Sequence, residues 1–200
     1  AGKPPVFKES DYTQERKDAA MWAKDGMEAY NELAPQSSAV WLASTKDERS
    51  AIYAYTYTYH NINEPLRGLV YYGSAEDKQA GLDRIPLIEK IIGKTSLKRD
   101  CWFQRGGGMV ELKKFGLTNY NYATDDEIKV LVGKEGTEGA FMSVGSSKGN
   151  GFSGECVFNI YCPKGTKGMY VEPFSQFGNG AKSSDWDGVC NQKTVGGENE

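Results

Sequence analysis

The chain has 200 residues, of which 38% are hydrophobic and 26% are charged, a composition that predicts one sizeable folded domain. Its net charge of −3 provides no basic field, so nucleic acid is not an expected partner. No apolar run approaches the roughly 18 residues that a membrane-spanning helix needs, so no span is expected.

The first part of the chain has the periodicity of helices. A helix is predicted over residues 12–33, where small and aromatic apolar residues recur at helical spacing, and an irregular link over residues 34–44. Thr45 stands three residues before Glu48, which is the capping-box pattern of a second helix. Pro65 is expected to end that helix.

A third helix is predicted within residues 74–94, with isoleucines on its buried face and Gly93 as its C-terminal stop. Beyond it the chain becomes rich in glycine, aromatic and β-branched residues, and "EIKVLVG" fits either a short helix or a strand. Strands are predicted for "DCWFQR", "GAFMSVGSS", "GECVFNIYCP" and "GMYVEP". Helices followed by strands indicate an α+β fold with an antiparallel sheet. We expect a single domain, mainly helical over residues 1–95 and β-rich over residues 96–200.

The cysteine and histidine content argues against a metal site. The four cysteines are Cys101, Cys156, Cys162 and Cys190. None forms a CxxC pair and His60 is the only histidine, so a Cys/His zinc site is not expected and the thiols are interpreted as buried. His60 lies in a helical pattern and is interpreted as a residue of the helix face rather than a catalytic base.

Three features carry chemistry. Arg105 leaves a predicted strand into three glycines, where it could hold a phosphate at two points, although a solvated strand-end arginine has the same pattern. Ser143 lies in an apolar strand, where its hydroxyl needs a partner, as a core serine bonded to backbone also would. Glu198 and Glu200 lie two residues apart, so in an extended segment both carboxylates face one side. The glycine turn fits neither the dinucleotide-binding fingerprint nor the P-loop.

The order of these features resembles the Arg–Ser–Glu signature of the mono-ADP-ribosyltransferases. The resemblance is to the branch that contains the vegetative insecticidal and clostridial actin-modifying binary toxins, and to related phage-encoded domains. It includes "AIYAYTYTYHNINEPLR", "IPLIEKIIGKTSLKRDCWFQRG" and "FNIYCPKGTKGMYVEPFS", and it extends over residues 41–200. It implies helices followed by a core of two packed, mainly antiparallel β-sheets with an NAD cleft. It also implies NAD as a substrate, no metal, and an arginine of a target protein as acceptor, with actin as one candidate.

The resemblance also implies roles in NAD binding. Arg105 would hold the phosphates, and the backbone of Gly106 would meet the nicotinamide amide. Ser143 would brace the catalytic glutamate. Phe174, or alternatively Phe177, would stack near the nicotinamide.

The remaining implied roles belong to the last fifteen residues. Glu200 would bind the 2′-hydroxyl of the nicotinamide ribose, and Glu198 would handle the acceptor, since glutamate at that place goes with arginine acceptors in this family. Trp186 would contact the target protein.

Two departures and two alternatives accompany this hypothesis. The family usually has Ser-Thr-Ser where this chain has Ser143, Val144 and Gly145. The family also continues past the glutamates with an apolar strand, so we expect that the chain is a fragment or that a second polypeptide supplies that strand.

The alternatives are a non-catalytic docking module of the same fold, which the retained glutamate pair disfavours, and a passenger domain of a phage head protein. The compartment is left open, between an effector delivered into a foreign cytosol and a phage-encoded protein.

Overall fold

The computed structural model describes Ala23, residues 25–147 and residues 153–176. The helices and strands are α1 (Gly26–Ala43), α2 (Lys46–Tyr57), α3 (His60–Leu66), α4 (Ala75–Ile92), β1 (Cys101–Gly107), α5 (Asp125–Lys129) and β2 (Cys156–Cys162). Short 3₁₀ helices occur at Met109–Phe115 and Glu172–Phe174. The four helices α1 to α4 therefore precede both strands, and the prediction of an α+β fold is confirmed.

Helix α1 differs from the prediction at both ends. Asp25 is extended and its carboxylate accepts a hydrogen bond from the Glu28 N–H at 2.9 Å, so α1 begins at Gly26. The part of the predicted helix over residues 12–22 lies outside the described residues. The predicted irregular link over residues 34–44 is wrong, because α1 continues through it to Ala43 with Pro35 inside. Ala34, Ser37 and Trp41 bury one face of this stretch, and that packing outweighs the helix-breaking tendency of proline.

Helix α2 begins as predicted. The Thr45 hydroxyl accepts from the Glu48 N–H, and the Glu48 carboxylate accepts from the Thr45 N–H, which completes the capping box. The expected continuous helix to Pro65 is interrupted, however, because Thr58 leaves helical geometry and α3 starts at His60. Threonine and tyrosine alternate over residues 55–59, and both lose side-chain freedom in a helix.

Helix α4 follows the prediction closely. Ser74 caps its first turn by accepting from the Asp77 N–H at 3.0 Å, and Gly93 is the C-terminal cap. Ile88 and Ile91 are fully buried. The residue range predicted from isoleucine spacing is therefore confirmed.

The sheet consists of β1 and β2, paired antiparallel from Cys101 opposite Cys162 to Gly107 opposite Cys156. Both strands were predicted, and the half-buried face of β2 contains its two cysteines as expected. Among the described residues these two strands form the only sheet, so the second sheet of the expected core is not seen in this part of the chain. The ambiguous segment "EIKVLVG" starts inside the helix α5.

Two predicted strands are not regular strands. In "GAFMSVGSS" only Gly145 and Ser147 form isolated bridges, the first to Gln104 of β1 and the second to Ala23. In "GMYVEP" every residue from Met169 onward is buried, and the segment belongs to no strand. The Tyr170 N–H donates to the Ser37 hydroxyl at 2.9 Å, and the Gly168 carbonyl accepts from the Thr95 hydroxyl.

The hydrophobic core lies between the helices and the segment that follows β2. Its buried members include Trp41, Ile52, Ile62, Ile88, Ile91, Val171 and Phe174. Trp41 and Phe174 stack with ring centroids 4.4 Å apart and planes 11° from parallel. This packing fixes α2 and α3 beside the segment of residues 138–146, where the candidate site is formed.

Candidate active site

Arg105 lies near the end of β1, opposite Phe158 of β2, with 17% of its side chain exposed. Its Nη1 donates to the Ser143 carbonyl at 2.9 Å. Its Nε and Nη2 lie 3.5 and 3.4 Å from the two carboxylate oxygens of Glu111 in the following 3₁₀ helix. Arg105 is therefore held in place on two sides, instead of being a solvated strand-end arginine.

Ser143 is brought to Arg105 by the backbone. Two residues beyond Ser143, Gly145 forms two backbone hydrogen bonds with Gln104 of β1. The Gln104 N–H donates to the Gly145 carbonyl at 3.0 Å, and the Gly145 N–H donates to the Gln104 carbonyl at 2.7 Å. The Ser143 hydroxyl lies 3.2 Å from the Tyr55 hydroxyl of α2. The structure thus brings together two of the residues that the sequence singled out, Arg105 and Ser143, although they are 38 positions apart in the chain.

A side-chain network anchors the same segment to α2 and α3. The Asn63 side chain donates to the Phe141 carbonyl and accepts from the Phe141 N–H, both at 3.2 Å. Asn63 also donates to the Tyr55 hydroxyl at 3.3 Å. Asn63 is 3% exposed, so these bonds are shielded from water. The network was not predicted, although both residues lie in the stretch "AIYAYTYTYHNINEPLR" on which the resemblance rests.

An ion cluster lies next to this network. The Glu138 carboxylate accepts from Arg67 Nε at 2.9 Å, from Lys114 Nζ and from the Ala140 N–H. Burial alone would raise the pKa of the Glu138 carboxyl, but the hydrogen bonds from the two cations and the backbone outweigh it and lower the pKa to about 2. Lys114 Nζ is also 4.0 Å from Glu111 Oε2, so the cluster continues to Arg105.

The charged side chains of this region therefore form one continuous series. In order they are Arg105, Glu111, Lys114, Glu138 and Arg67, each with 26% or less of its side chain exposed. Three cations face two carboxylates, which leaves an excess positive charge. Arg67 Nη2 is buried and has no hydrogen-bond partner among the described residues. The series is suited to attract an anion.

A cavity of about 370 Å³ opens beside Ser143. Its walls come from α1, α2, α4 and both strands, and they include Tyr55, Phe103, Ser143 and Ile160. The walls are mainly apolar and include the hydroxyl groups of Tyr55 and Ser143, which is the usual character of a small-molecule site.

Phe174, the first candidate for stacking near the nicotinamide, lies in the core. It is 1% exposed and its ring stacks on Trp41, so in this structure it is a core residue. Gly106 is buried in β1 opposite Val157. The other expected site residues, Glu198, Glu200, Trp186 and the alternative Phe177, lie outside the described residues.

His60 lies away from this site, whereas Cys162 is one of the residues that line the cavity. Cys190 lies outside the described residues. His60 has a side chain that is 58% exposed, stacks on Tyr59 and lies 3.0 Å from Glu64 within α3, as expected for a residue of the helix face. Cys101 and Cys162 are buried or half-buried free thiols, and burial raises the pKa of each. No group of three or more His, Cys, Asp or Glu side chains that could hold a metal ion occurs in the described part of the chain. Nor is any helix there long and apolar enough to cross a membrane.

Known proteins resemble this chain in sequence and in fold. A family profile described as ADP-ribosyltransferase exoenzyme matches residues 19–182. The chain therefore belongs to the ADP-ribosyltransferase exoenzyme family, and NAD is its substrate. No curated protein matches it significantly.

Several solved structures share the fold. The ADP-ribosyltransferase toxin Plx2a from Paenibacillus larvae is 24% identical, with a TM-score of 0.58 over 78% of this chain and 80% of that one. The C3 exoenzyme of Clostridium limosum is 20% identical, with a TM-score of 0.58 over 80% and 83%. An S. aureus protein of the same C3 type, solved with NAD, is 18% identical, with a TM-score of 0.58 over 78% and 81%. At these identities the similarities show the fold, and they do not single out the actin-modifying branch.

Proposed function

We propose that this chain is a mono-ADP-ribosyltransferase that transfers ADP-ribose from NAD to an arginine of a target protein. The observation that carries the proposal is the hydrogen bond from Arg105 to the Ser143 carbonyl. It joins the phosphate-binding candidate and the bracing serine in one place, next to the excess positive charge of the ion series. The glutamate pair at positions 198 and 200 supplies the acidic groups that the chemistry needs.

NAD binding is assigned to the two ends of the ion series. Arg105 holds one phosphate with its planar guanidinium, and Arg67 offers a second guanidinium with a buried nitrogen to donate. Gly106 lies two residues beyond Gln104 in β1, so its N–H points to the same edge as the Gln104 N–H that pairs with Gly145. That backbone group is our candidate for the nicotinamide amide. We assign the stacking role to Phe177, because Phe174 is buried against Trp41.

The chemical step is breakage of the bond between the ribose C1′ and the nicotinamide nitrogen. The bond's electron pair leaves with nicotinamide, and positive charge grows on the ribose ring. Glu200, bonded to the 2′-hydroxyl and braced by Ser143, stabilises that charge in the transition state. A guanidinium nitrogen of the target then attacks C1′, and Glu198 accepts the proton that this nitrogen loses.

The biological role that we propose is that of a toxin or delivered effector. It is supported by the proteins whose structures are similar, which include an ADP-ribosyltransferase toxin from Paenibacillus larvae. Trp186 is our candidate for contact with the target protein, and actin is one candidate target through the likeness to binary toxins.

Transfer from labelled NAD to a small guanidino acceptor and to proteins of a cell lysate tests the proposal. We expect labelling with the wild-type chain. Glu198→Ala should lose transfer to the guanidino compound while keeping hydrolysis of NAD, because only acceptor activation is removed. Labelling that is confined to another residue type would overturn the arginine assignment. Absence of both labelling and NAD hydrolysis would favour the docking-module alternative.

A further inference from the structure

The edge of the Arg105 guanidinium that would hold the NAD phosphate already faces the carboxylate of Glu111. We propose that Glu111 is an internal competitor of NAD, whose carboxylate covers Arg105 in the free enzyme and must move aside when NAD binds. This inference rests on the proposed role of Arg105 in phosphate binding. It assigns Glu111 a function in setting the affinity for NAD.

The geometry of the pair matches a phosphate grip. Glu111 faces the Nε and Nη2 edge of Arg105, which is the edge that binds an oxyanion at two points. The remaining nitrogen, Nη1, is engaged by the Ser143 carbonyl. A phosphate oxygen that approaches Arg105 at this edge therefore takes the place of Glu111 Oε1 and Oε2.

The contact is loose enough to be exchanged. The two Arg105–Glu111 distances, 3.4 and 3.5 Å, are longer than the roughly 2.7–2.9 Å of a strong charge-assisted hydrogen bond. Glu111 also has a second cation at hand, since Lys114 Nζ lies 4.0 Å from its Oε2. A carboxylate that leaves Arg105 can thus stay paired with Lys114.

The glycine at position 107 leaves room for the Glu111 carboxylate over β1. A Cβ atom on Gly107 would lie 2.1 Å from Glu111 Oε1. Since that atom is the end of a flexible side chain, alanine at this position would displace the carboxylate from its place beside Arg105. Gly107→Ala should therefore have the same effect as removing the charge of Glu111.

The competition predicts a distinct kinetic pattern. A carboxylate that blocks NAD weakens its binding before and during the reaction to the same extent, so its removal lowers KM and leaves kcat unchanged. A residue that positioned Arg105 for the transition state would instead lower kcat when removed. The two roles are therefore separated by the KM against kcat comparison.

Equilibrium dialysis of NAD against the full 200-residue chain tests the inference. The variants are Glu111→Gln, Gly107→Ala and Arg105→Lys, with Glu155→Gln as the matched control. Glu155 accepts from the Met109 N–H at 3.0 Å, and its substitution removes the same charge near the same strand end. Thermal unfolding checks that each variant is folded, and Gly107→Ala decides the matter if Glu111→Gln does not fold.

We expect Glu111→Gln and Gly107→Ala to bind NAD about fivefold more tightly than the wild type, the size of effect that breaking one partly exposed ion pair produces. Glu155→Gln should bind as the wild type does. Equal or weaker NAD binding by both folded variants, with Arg105→Lys still at least about tenfold weaker, would overturn the inference alone. Lack of NAD binding by the wild type, or unchanged binding by Arg105→Lys, would overturn the proposed role of Arg105 and the inference with it.

Discussion

Asn63 and Phe141 exchange two hydrogen bonds across the molecule, from the Asn63 amide nitrogen to the Phe141 carbonyl and from the Phe141 N–H to the Asn63 amide oxygen. One side chain on α3 thus satisfies both backbone groups of a residue that is 78 positions further along the chain. Phe141 lies two residues before Ser143, so this pairing determines where the serine is held.

Removing this pairing should destabilise the protein. We expect Asn63→Ala to lower the free energy of unfolding by about 1–3 kcal/mol. It leaves the Phe141 N–H without its partner, and the Phe141 carbonyl keeps only the 3.4 Å bond from the Tyr55 hydroxyl. Urea unfolding monitored by circular dichroism measures the change. Asn159→Ala is the control, since that amide makes an exposed bond to Gln104 and its loss should cost less than about 0.5 kcal/mol. Equal effects of the two substitutions would contradict the anchoring role.

The Tyr55 hydroxyl should matter more for activity than for stability. It lies 3.2 Å from the Ser143 hydroxyl, and the ring of Tyr55 packs edge-on against Phe141. Tyr55→Phe keeps the ring and removes the oxygen, so we expect a loss of about 0.5–1.5 kcal/mol in stability. Nicotinamide release should fall about tenfold or more, because Ser143 loses the partner that orients it. A variant with wild-type kcat would show that this bond has no positioning role.

Phe174 and Phe177 should respond differently to substitution. Phe174→Ala removes one ring of the stack with Trp41 from the core, and we expect it to cost about 3–5 kcal/mol of unfolding free energy. Phe177→Ala should raise KM for NAD, as our assignment of the stacking role requires. Denaturant titration and initial-rate kinetics on the pair distinguish the roles. A stable Phe174→Ala variant with a raised KM would return the stacking role to Phe174.

One buried carboxylate, Glu48, and one partly buried carboxylate, Glu138, predict an acid-sensitive fold. Glu48 has its pKa lowered to about 2, chiefly by the hydrogen bond from Lys90, and Glu138 has a pKa of about 2 within its ion cluster. Both values lie below the roughly 4.3 of an unfolded glutamate. Their contribution to stability is therefore complete above that pH and is lost as the pH falls toward 2.

Urea unfolding at pH 7 and at pH 3 measures this dependence. In Glu138→Gln the loss of stability between the two pH values should be smaller than in the wild type, because one of the two linked groups is gone. Glu127→Gln is the control. Glu127 also has a lowered pKa, caused first by the Thr124 backbone hydrogen bond, but it belongs to an exposed capping box. Its substitution should therefore change the loss of stability between pH 7 and pH 3 only a little. If Glu138→Gln lost as much stability between pH 7 and pH 3 as the wild type does, the proposed contribution of Glu138 to acid sensitivity would be contradicted.

The sequence predicts those features that local patterns determine. The capping box at Thr45, the residue range of α4 and the strand that leads to Arg105 follow from cap chemistry and side-chain periodicity. The continuation of α1 through Pro35 does not, because it depends on the burial of Trp41 against a residue far along the chain. The buried position of Phe174 could not be predicted either, because it results from tertiary packing against Trp41.

In the candidate site, too, some residues could be predicted from the sequence and others depend on tertiary contacts. Arg105 and Ser143 stand out in the sequence by their neighbours and their order. The carboxylates that hold the cations, Glu111 and Glu138, do not, since neither lies in a motif and each acts on a side chain from another segment. Arg105 and Glu111 are only six positions apart, but their contact depends on how the chain turns after β1. Arg67 and Glu138 are 71 positions apart and meet only in the folded chain, although "INEPLR" could have directed attention to Arg67.

The rate of nicotinamide release from NAD by the wild-type chain and by Glu200→Gln, measured with the guanidino acceptor present, is the most direct test of the proposed activity. We predict that the variant binds NAD with nearly unchanged affinity and releases nicotinamide at least about 10²-fold more slowly, because a fixed charge beside the ribose is lost. Equal rates for the two proteins would contradict the proposal that this chain transfers ADP-ribose through its terminal glutamate pair.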